Sequence, residues 1–368
     1  MQKKIKLSII GSVGLPANYG GWETLVDNII NYIGKEFDIT VFCSSKIYKK
    51  KIYKYKNVKL VYINLYPNGF QSILYDAISL YRSNKFADFT LILGISGAIF
   101  IPFIKNKKNK IIVNLDGIEW RRSKWSYLIK AFLRISEALA IKFADSLVSD
   151  NKAISDYILH RYNRTSFQIS YGGDHAKKII LCKQVAKKYN IPRSYAFKVC
   201  RIEPENNVEL VLNAFVKVEF PLVIMGNWES SNYGRRLKKN FSGFSNINIL
   251  DSIYDPIILN QIRSNALLYI HGHSVGGTNP SLVEAMSLGL PVFAYDVSFN
   301  RYTTENKCRY FKNENELSSL LLNINKNSIQ KIGFKMKQTA FRKYRWRKIA
   351  NQYLSMFNNI NTSKNLFY

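Results

Sequence analysis

Short apolar runs rich in β-branched residues recur along this chain, separated by stretches whose apolar residues fall every three or four positions. Runs of the first kind, bounded by turn residues, predict buried strands, and stretches of the second kind predict amphipathic helices. In the first half the predicted strands are Ile5–Ile10, Ile39–Cys43, Val58–Ile63, Phe89–Leu93, Ile111–Leu115 and Ser146–Ser149. Helical patterns fall at Trp22–Ile33, Ser72–Tyr81, Trp125–Phe143 and Lys152–Arg161. After Tyr171-Gly-Gly-Asp174 the alternation restarts, with strands at Tyr195–Cys200, Pro221–Met225, Ile247–Leu250, Ala266–Ile270 and Pro291–Tyr295. Helices are expected at Val208–Phe215, Gly234–Asn240, Pro256–Ser264, Pro280–Ser287 and Glu314–Leu321, and a long basic-aromatic helix from Lys335 to Phe357.

Strand–helix alternation of this kind predicts an α/β fold of two doubly wound, Rossmann-like parallel sheets. The expected domains are 1–174 and 175–338, with 339–368 a C-terminal helical segment that packs back on the first domain. Two such domains facing each other leave a cleft at the carboxyl ends of their strands, where open parallel sheets bind ligands. The longest apolar run, Phe89–Ile104, is broken by Gly94, Ser96, Gly97 and Pro102. It falls short of the roughly 20 residues a bilayer-spanning helix needs, and reads as a strand, a turn and a helix start.

Composition narrows the class. A hydrophobic content of 47% with 14% aromatics fits a folded chain rather than a disordered one. Four scattered cysteines (Cys43, Cys182, Cys200, Cys308) read as buried thiols of a reducing compartment, without zinc or a disulfide framework. No signal peptide is expected from the first residues. The net charge of +29 is shared by both halves: 26 Lys/Arg against 13 Asp/Glu through Asp174, and 28 against 12 beyond it. Such a field favours nucleic acid, an anionic membrane leaflet or phosphorylated substrates. A base composition that favours Lys and Asn codons gives the same excess without any partner.

The chemistry concentrates where strands end. His271 to Glu284 reads H-G-H-S-V-G-G-T-N-P-S-L-V-E, an apolar strand running through a Gly-rich turn into a helix. Pro280 suits the first helical turn, and Thr278 and Asn279 are natural caps. Orphan N–H groups and the positive helix end then suit a phosphate. Gly276 and Gly277 allow backbone to approach a ligand, and Glu284 lies about one turn into the helix. The first strand ends in Gly11-Ser-Val-Gly-Leu-Pro-Ala-Asn-Tyr-Gly-Gly-Trp-Glu23. It is not G-x-G-x-x-G, and no acid ends the second strand, which counts against an NAD enzyme. Gly20 and Gly21 again offer backbone N–H groups before a helix, and Tyr19 and Trp22 offer stacking faces. Asp116 and Glu119 follow a buried strand, with Arg121, Arg122 and Lys124 flanking Trp120 and Trp125. Indoles among cations suit a phosphate-bearing, amphipathic partner at a membrane interface. Arg201 is placed to grip a diphosphate in a bidentate way, and Glu203 and Glu205 read as capping acids of the next helix.

The order of these segments resembles the GT-B glycosyltransferases of family 4, and more closely the bacterial rhamnosyltransferases whose first half carries G-x-x-G-x-P-A-x-Y-G-G-x-E. Gly11–Glu23 matches that loop, and Asp116-Gly-Ile-Glu-Trp-Arg-Arg-Ser-Lys-Trp matches a second signature. Glu137, Ala144-Asp145 and Ser149-Asp-Asn-Lys-Ala continue the match, followed by Arg201–Asn207 and His273–Met286. The resemblance runs from about residue 5 to the Tyr344-Arg-Trp346 region. It implies two facing domains with a cleft between them, a dTDP-rhamnose donor, a lipid-diphosphate-linked saccharide acceptor, retention of anomeric configuration, and work on the inner face of the bacterial cytoplasmic membrane in O-antigen or capsule synthesis. Two departures stand out. The usual E-x7-E has Gly276 in place of its first Glu, and the usual R-x4-K keeps Arg201 but has Asn206 at the lysine. His273 or Thr278 is then the candidate for contact with the sugar.

The expected donor site comprises Gly20, Gly21, Arg201, Asn206, His273, Gly277, Thr278, Asn279, Pro280, Ser281 and Glu284, with Glu284 on the ribose and Gly20 and Gly21 closing on the phosphates from the opposite domain. Asp116, Arg201 and Glu284 are the expected catalytic residues, Asp116 orienting the acceptor hydroxyl or the reacting sugar ring. Tyr19, Trp22, Glu23, Glu119, Arg121 and Trp125 are the acceptor-side candidates. No D-x-D sequence occurs, so no metal is expected, and fixed cations and dipoles would do its work. An anionic membrane surface is an expected partner, through Lys46–Lys59, Lys105–Lys110 and Arg121–Lys130. Nucleic acid is not expected, since no recognition-helix or RNA-platform signature is present. A family 4 enzyme with another donor sugar, a nucleic-acid-binding protein and a non-catalytic nucleotide-sugar-binding module are the alternatives.

Overall fold

The computed structural model describes residues 4–17, 20–106, 108–115 and 117–362. Two compact units emerge. The first takes the chain up to Arg121, Trp125–Ser170 and the segment from Trp346 onward; the second takes Arg122–Lys124 and Tyr171–Arg345.

The first unit holds an eight-stranded sheet: β1 (Ile5–Ile10), β2 (Phe37–Ser44), β3 (Lys54–Tyr55), β4 (Val58–Ile63), β5 (Phe89–Leu93), β6 (Lys110–Leu115), β7 (Ser146–Ser149) and β8 (Phe167–Gln168). Their spatial order is β3-β4-β2-β1-β5-β6-β7-β8, and only the β3–β4 pair is antiparallel. The β-branched runs read from the sequence are its inner strands; β5 is buried on both faces as parallel strands are, while β4, next to the edge, turns Lys59 outward. β1 pairs in register with β2 (Ile5 opposite Phe37) and with β5 (Leu7 opposite Phe89). The order reverses at β1/β5, so the Gly11 loop leaves the sheet at its switch point.

The second unit holds six parallel strands: β9 (Ala196–Val199), β10 (Leu222–Gly226), β11 (Ile247–Asp251), β12 (Leu268–His271), β13 (Val292–Tyr295) and β14 (Arg309–Phe311). Their order is β11-β10-β9-β12-β13-β14, so the switch point lies between β9 and β12. Period-two alternation divides its core. Ala196, Ile224 and Ile270 pack with Val211, Leu212 and Phe215 on one side. Phe197, Val223, Met225 and Tyr269 pack with Ile262 and Ala285 on the other.

The long terminal helix expected from Lys335 to Phe357 is two helices, Lys326–Lys343 and Trp346–Thr362. Tyr344 interrupts the run because its groups have partners elsewhere in the second unit. Its carbonyl accepts from Gly173 N at 2.8 Å and its hydroxyl donates to the Thr303 carbonyl at 2.9 Å. The helix Trp346–Thr362 packs in the first unit against the helix Gly21–Ile33. There Phe357 meets Phe37 and Phe89 at 5.1 and 5.5 Å between ring centroids. The Asn114 amide donates to the Tyr353 hydroxyl at 2.8 Å. Among the described residues no helix is long and apolar enough to cross a membrane. Of the four thiols, Cys182 is exposed at the start of the helix Lys183–Lys188 and Cys200 is half-buried, so the expectation of four buried cysteines holds only for Cys43 and Cys308.

Candidate functional site

In the second unit β12 ends at His271, the turn runs through Gly272–Asn279, and the helix Pro280–Ser287 begins with Pro280 in its first turn. Asn279 occupies the cap position, but its side chain makes no capping bond, and its Nδ2 has no partner among the described residues. The Leu282 N–H turns back to the Asn279 carbonyl at 3.1 Å, so fewer orphan donors remain than the sequence suggests. Gly276 has φ +132°, with only the Asn279 amide near the position a Cβ would take. A glutamate there would be strained, so this turn's backbone and its missing acid belong together. Gly277 and Thr278 are buried, Thr278 at 2% exposure, while Asn279, Pro280 and Ser281 are half-buried.

Glu284 sits one turn into that helix with both carboxylate oxygens engaged. His175 Nε2 lies 2.8 Å from Oε1, and Arg263 Nη1 donates to Oε2 at 2.5 Å. Arg263 is itself buried and fixed by a 2.9 Å bond from Nε to Asn260 Oδ1. Burial alone would raise the Glu284 pKa; the Arg263 guanidinium and His175 outweigh it and hold the carboxyl at about 2. The result is a permanent, oriented anion with lone pairs still free to accept hydroxyls.

At the end of β9, Arg201 is half exposed, its Nε 3.7 Å from Glu203 Oε2. The Asn206 amide donates to the Arg201 carbonyl at 2.7 Å, bracing the backbone that carries the guanidinium. Glu203 and Glu205 do not cap the next helix as the sequence suggested. They take partners from the tripeptide Arg122–Lys124 of the same unit: Lys124 Nζ to Glu203 Oε1 at 2.8 Å and Ser123 Oγ to Glu205 Oε2 at 3.1 Å. His273 is half-buried, its ring stacked on that of His271 at 4.4 Å.

In the first unit Gly20 precedes the helix Gly21–Ile33, and its carbonyl accepts from Thr24 Oγ1 at 2.9 Å. Glu23, expected on the acceptor side, points inward instead. It is buried, accepts the Val13 N–H at 2.6 Å, and is pushed by burial up to about 7. It closes the loop on itself by tying the start of its helix to Val13. Trp22 is half-buried, with its indole nitrogen beside Gly94. Glu119 and Arg121 lie on one short 3-10 turn. Trp120 and Trp125 are half-buried against the core of the unit. Around the Trp120 ring stand three guanidinium groups, Arg134 at 4.5 Å, Arg121 at 5.3 Å and Arg161 at 5.8 Å. Asp116 and Tyr19 lie outside the described residues.

Several signature residues prove to be braces. Glu137 is fully buried and accepts from the Tyr157 and Tyr162 hydroxyls at 2.5 and 2.7 Å. Asp145 pairs with Lys105 and Lys110 and accepts the Ile111 N–H. Asn151 caps the helix Lys152–Tyr162 through Ala153 N. The basic segments Lys46–Lys59 and Lys105–Lys110 are partly neutralised, Lys56 by Asp27 and Lys59 by Asp38 in addition to the Asp145 pairs. Sequence reasoning missed His175, Arg263 and Lys198. The first two are joined to Glu284 only by the fold. Lys198 does leave a signal, a lysine inside an apolar strand. Among the described residues no group of three His, Cys, Asp or Glu side chains is placed to hold a metal ion.

A Rossmann-like pair of sheets, with a Gly-rich turn, a helix start and an anchored carboxylate at one switch point, defines a class: a GT-B glycosyltransferase. Residues 183–329 match the family described as glycosyl transferases group 1, and residues 4–174 match a domain of unknown function, DUF1972. The chain is similar in fold to sucrose-phosphate synthase from Thermosynechococcus elongatus, with a TM-score of 0.81 at 13% identity over 98% of this chain and 100% of that one. It is also similar to HepE of Anabaena in complex with UDP-glucose, with a TM-score of 0.72 at 15% identity over 97% and 100% of the two chains. No curated protein matches the sequence.

Proposed function

We propose that the chain transfers a rhamnosyl residue from dTDP-rhamnose to a lipid-diphosphate-linked saccharide, at the inner face of the bacterial cytoplasmic membrane, in the assembly of a surface polysaccharide such as an O-antigen or capsule. The observation that carries the donor half is Glu284, held ionised between Arg263 and His175 one turn behind a Gly-rich strand–helix turn. Such a carboxylate accepts ribose hydroxyls, while Arg201, Gly277, Thr278, Asn279 and Ser281 surround the diphosphate. Rhamnose as the sugar rests on the motifs Gly11–Glu23, Asp116–Trp125, Arg201–Asn207 and His273–Met286. In the reaction the C1–O bond to the diphosphate breaks and the acceptor oxygen bonds to C1 on the same face. The acceptor's proton passes to the leaving phosphate oxygen, Asp116 orienting the hydroxyl. The reading needs no metal, since fixed cations and backbone dipoles stabilise the leaving group.

The acceptor half draws support from the first unit. Arg121, Arg134 and Arg161 around Trp120 suit a phosphate-bearing head, and exposed apolar side chains suit the lipid. Phe70, Leu74, Ile78 and Tyr81 line one face at the helix Gln71–Ser83, and Phe103, Tyr127 and Leu128 stand out from neighbouring segments. Aromatic and aliphatic groups among cations are the chemistry of an interfacial surface. Liposome sedimentation indifferent to anionic lipid and to salt would remove the membrane from this reading.

A second donor, UDP-glucose, is favoured by one observation, the similarity to HepE solved with that molecule. Incubation with a panel of radiolabelled nucleotide sugars and membrane lipid extract separates the two. Label entering lipid from dTDP-rhamnose alone supports the first reading, label from UDP-glucose alone supports the second, and no label from any donor overturns both.

A further inference from the structure

β9 is an inner strand, yet its sequence Ala196-Phe197-Lys198-Val199 places an ammonium where an aliphatic side chain is usual. Lys198 is 0% exposed. Its Nζ donates to the Asn206 carbonyl at 3.0 Å and has the Cys200 thiol beside it, among the described residues no carboxylate pairs with it, and burial lowers its pKa. A buried charge without a counter-charge is costly, and proteins keep one only where something compensates it. Asn206 in turn holds the Arg201 carbonyl, so the buried amine is one link away from the exposed guanidinium. On its other side lies Gly272, the first residue after β12, where a Cβ would stand 2.7 Å from Nζ. Lys198 therefore lies at the β9/β12 switch point, where an open parallel sheet takes its ligand.

Two imidazoles share the place. His271 is fully buried; the Asn300 side chain lies beside its ring, but neither ring nitrogen completes a hydrogen bond of good geometry among the described residues. Its ring lies nearly parallel to that of His273, whose Nδ1 is also without a partner. Burial keeps both rings neutral, and the charged side chains bearing on them, Lys198 for both and Arg201 and Arg122 for His273, are all cations.

We infer that Lys198, His271 and His273 form a basic subsite whose missing counter-charge is a phosphoryl group, that of a nucleoside diphosphate settling on the turn Gly272–Asn279. The inference rests on the donor reading above and adds Lys198 and His271 to it, and it gives His273, expected from the sequence at the sugar, a role at the phosphate. Lys198 is a positioning residue in it, acting through the Asn206 carbonyl and by its field. His273 is the group that takes up a proton when the anion arrives.

Calorimetric titration of the whole chain with dTDP, UDP and the phosphate-free nucleosides thymidine and uridine tests this, repeated in buffers of different ionisation enthalpy. The wild-type protein should bind a diphosphate with net proton uptake. Lys198→Met should weaken that binding roughly 30-fold or more, leave nucleoside binding unchanged, and keep or raise the melting temperature, because a buried charge has been removed. His273→Gln should abolish the proton uptake, and it tests the subsite even if the lysine variant does not fold. Equal diphosphate binding by wild type and Lys198→Met overturns this inference alone. Parallel loss of nucleoside binding and of melting temperature also overturns it, by making Lys198 structural. A wild-type chain that binds neither diphosphate overturns the donor reading and this subsite together.

Discussion

Two loops of this protein share a plan and differ in electrostatics. Each leaves a parallel sheet at its switch point, passes through glycines and enters a helix that carries a glutamate near its start, buried in one case and half-buried in the other. In the Gly11–Gly20 loop that glutamate, Glu23, faces a backbone N–H and, among the described residues, no cation, and burial lifts it to about 7. In the Gly272–Asn279 loop the glutamate, Glu284, faces Arg263 and His175 and sits at about 2. The same residue type is thus a neutralisable fastener in one unit and a fixed anion in the other. What decides between them is the presence of a buried guanidinium, supplied by the helix Pro256–Ser264.

Removing that guanidinium should erase the difference, with the largest effect expected here. Arg263→Leu leaves the Glu284 carboxylate with only His175, and loss of one partner of a buried pair costs about 3–5 kcal/mol. Urea unfolding should show that loss, and sugar transfer should fall with it. An Arg263→Leu protein as stable and active as wild type would mean that Glu284 does not depend on its partner.

The pH dependence of stability sharpens the contrast, because the two glutamates should act with opposite sign. Glu23 has a folded pKa above the unfolded value of about 4.3. Its contribution is therefore full below pH 4 and lost as pH rises through about 7. Glu284 has a folded value below the unfolded one, so its contribution is present above about pH 4.3 and lost as pH falls toward about 2. Glu23→Gln keeps an acceptor for Val13 and removes the titration. Its stability relative to wild type should rise by about 3–4 kcal/mol between pH 4 and pH 8. A difference that stays flat across that range would show Glu23 to titrate normally.

The smallest effect concerns the caps. Asn151→Ala loses a real capping bond and should cost about 1 kcal/mol. Asn279→Ala loses none and should stay within about 0.5 kcal/mol by thermal melting, while weakening nucleoside diphosphate binding. Equal losses of stability at the two positions would make Asn279 an ordinary cap and deprive the second loop of its open donor site.

Much of the fold was legible because buried parallel strands leave continuous β-branched runs, and β1, β4 and β5 fall where those runs lie. The break at Tyr344 was not, since the apolar and basic pattern continues through it and the bonds to Gly173 and Thr303 that stop the helix come from distant parts of the chain. At the site, the turn around Gly276 was readable from local chemistry, and its lack of an acid from the resemblance to the family 4 enzymes. The anchoring of Glu284 was not, because His175 lies 109 residues away and no periodicity reports such a contact. Signature residues were readable as positions but not as roles. Glu23 and Glu137 match the motif and then serve their own loop and helices.

The helix Trp346–Thr362 has a consequence for biosynthesis. A ribosome makes the first unit's sheet, then the entire second unit, and only then the segment that covers Phe37 and Phe89 and receives the Asn114 amide. At about 5–20 residues per second, the nascent first unit carries an uncovered aromatic face for as long as the second takes to be translated. Its completion therefore waits on the translation of the second unit, and a message cut short before Trp346 would yield a protein whose defect lies in the part that was made first.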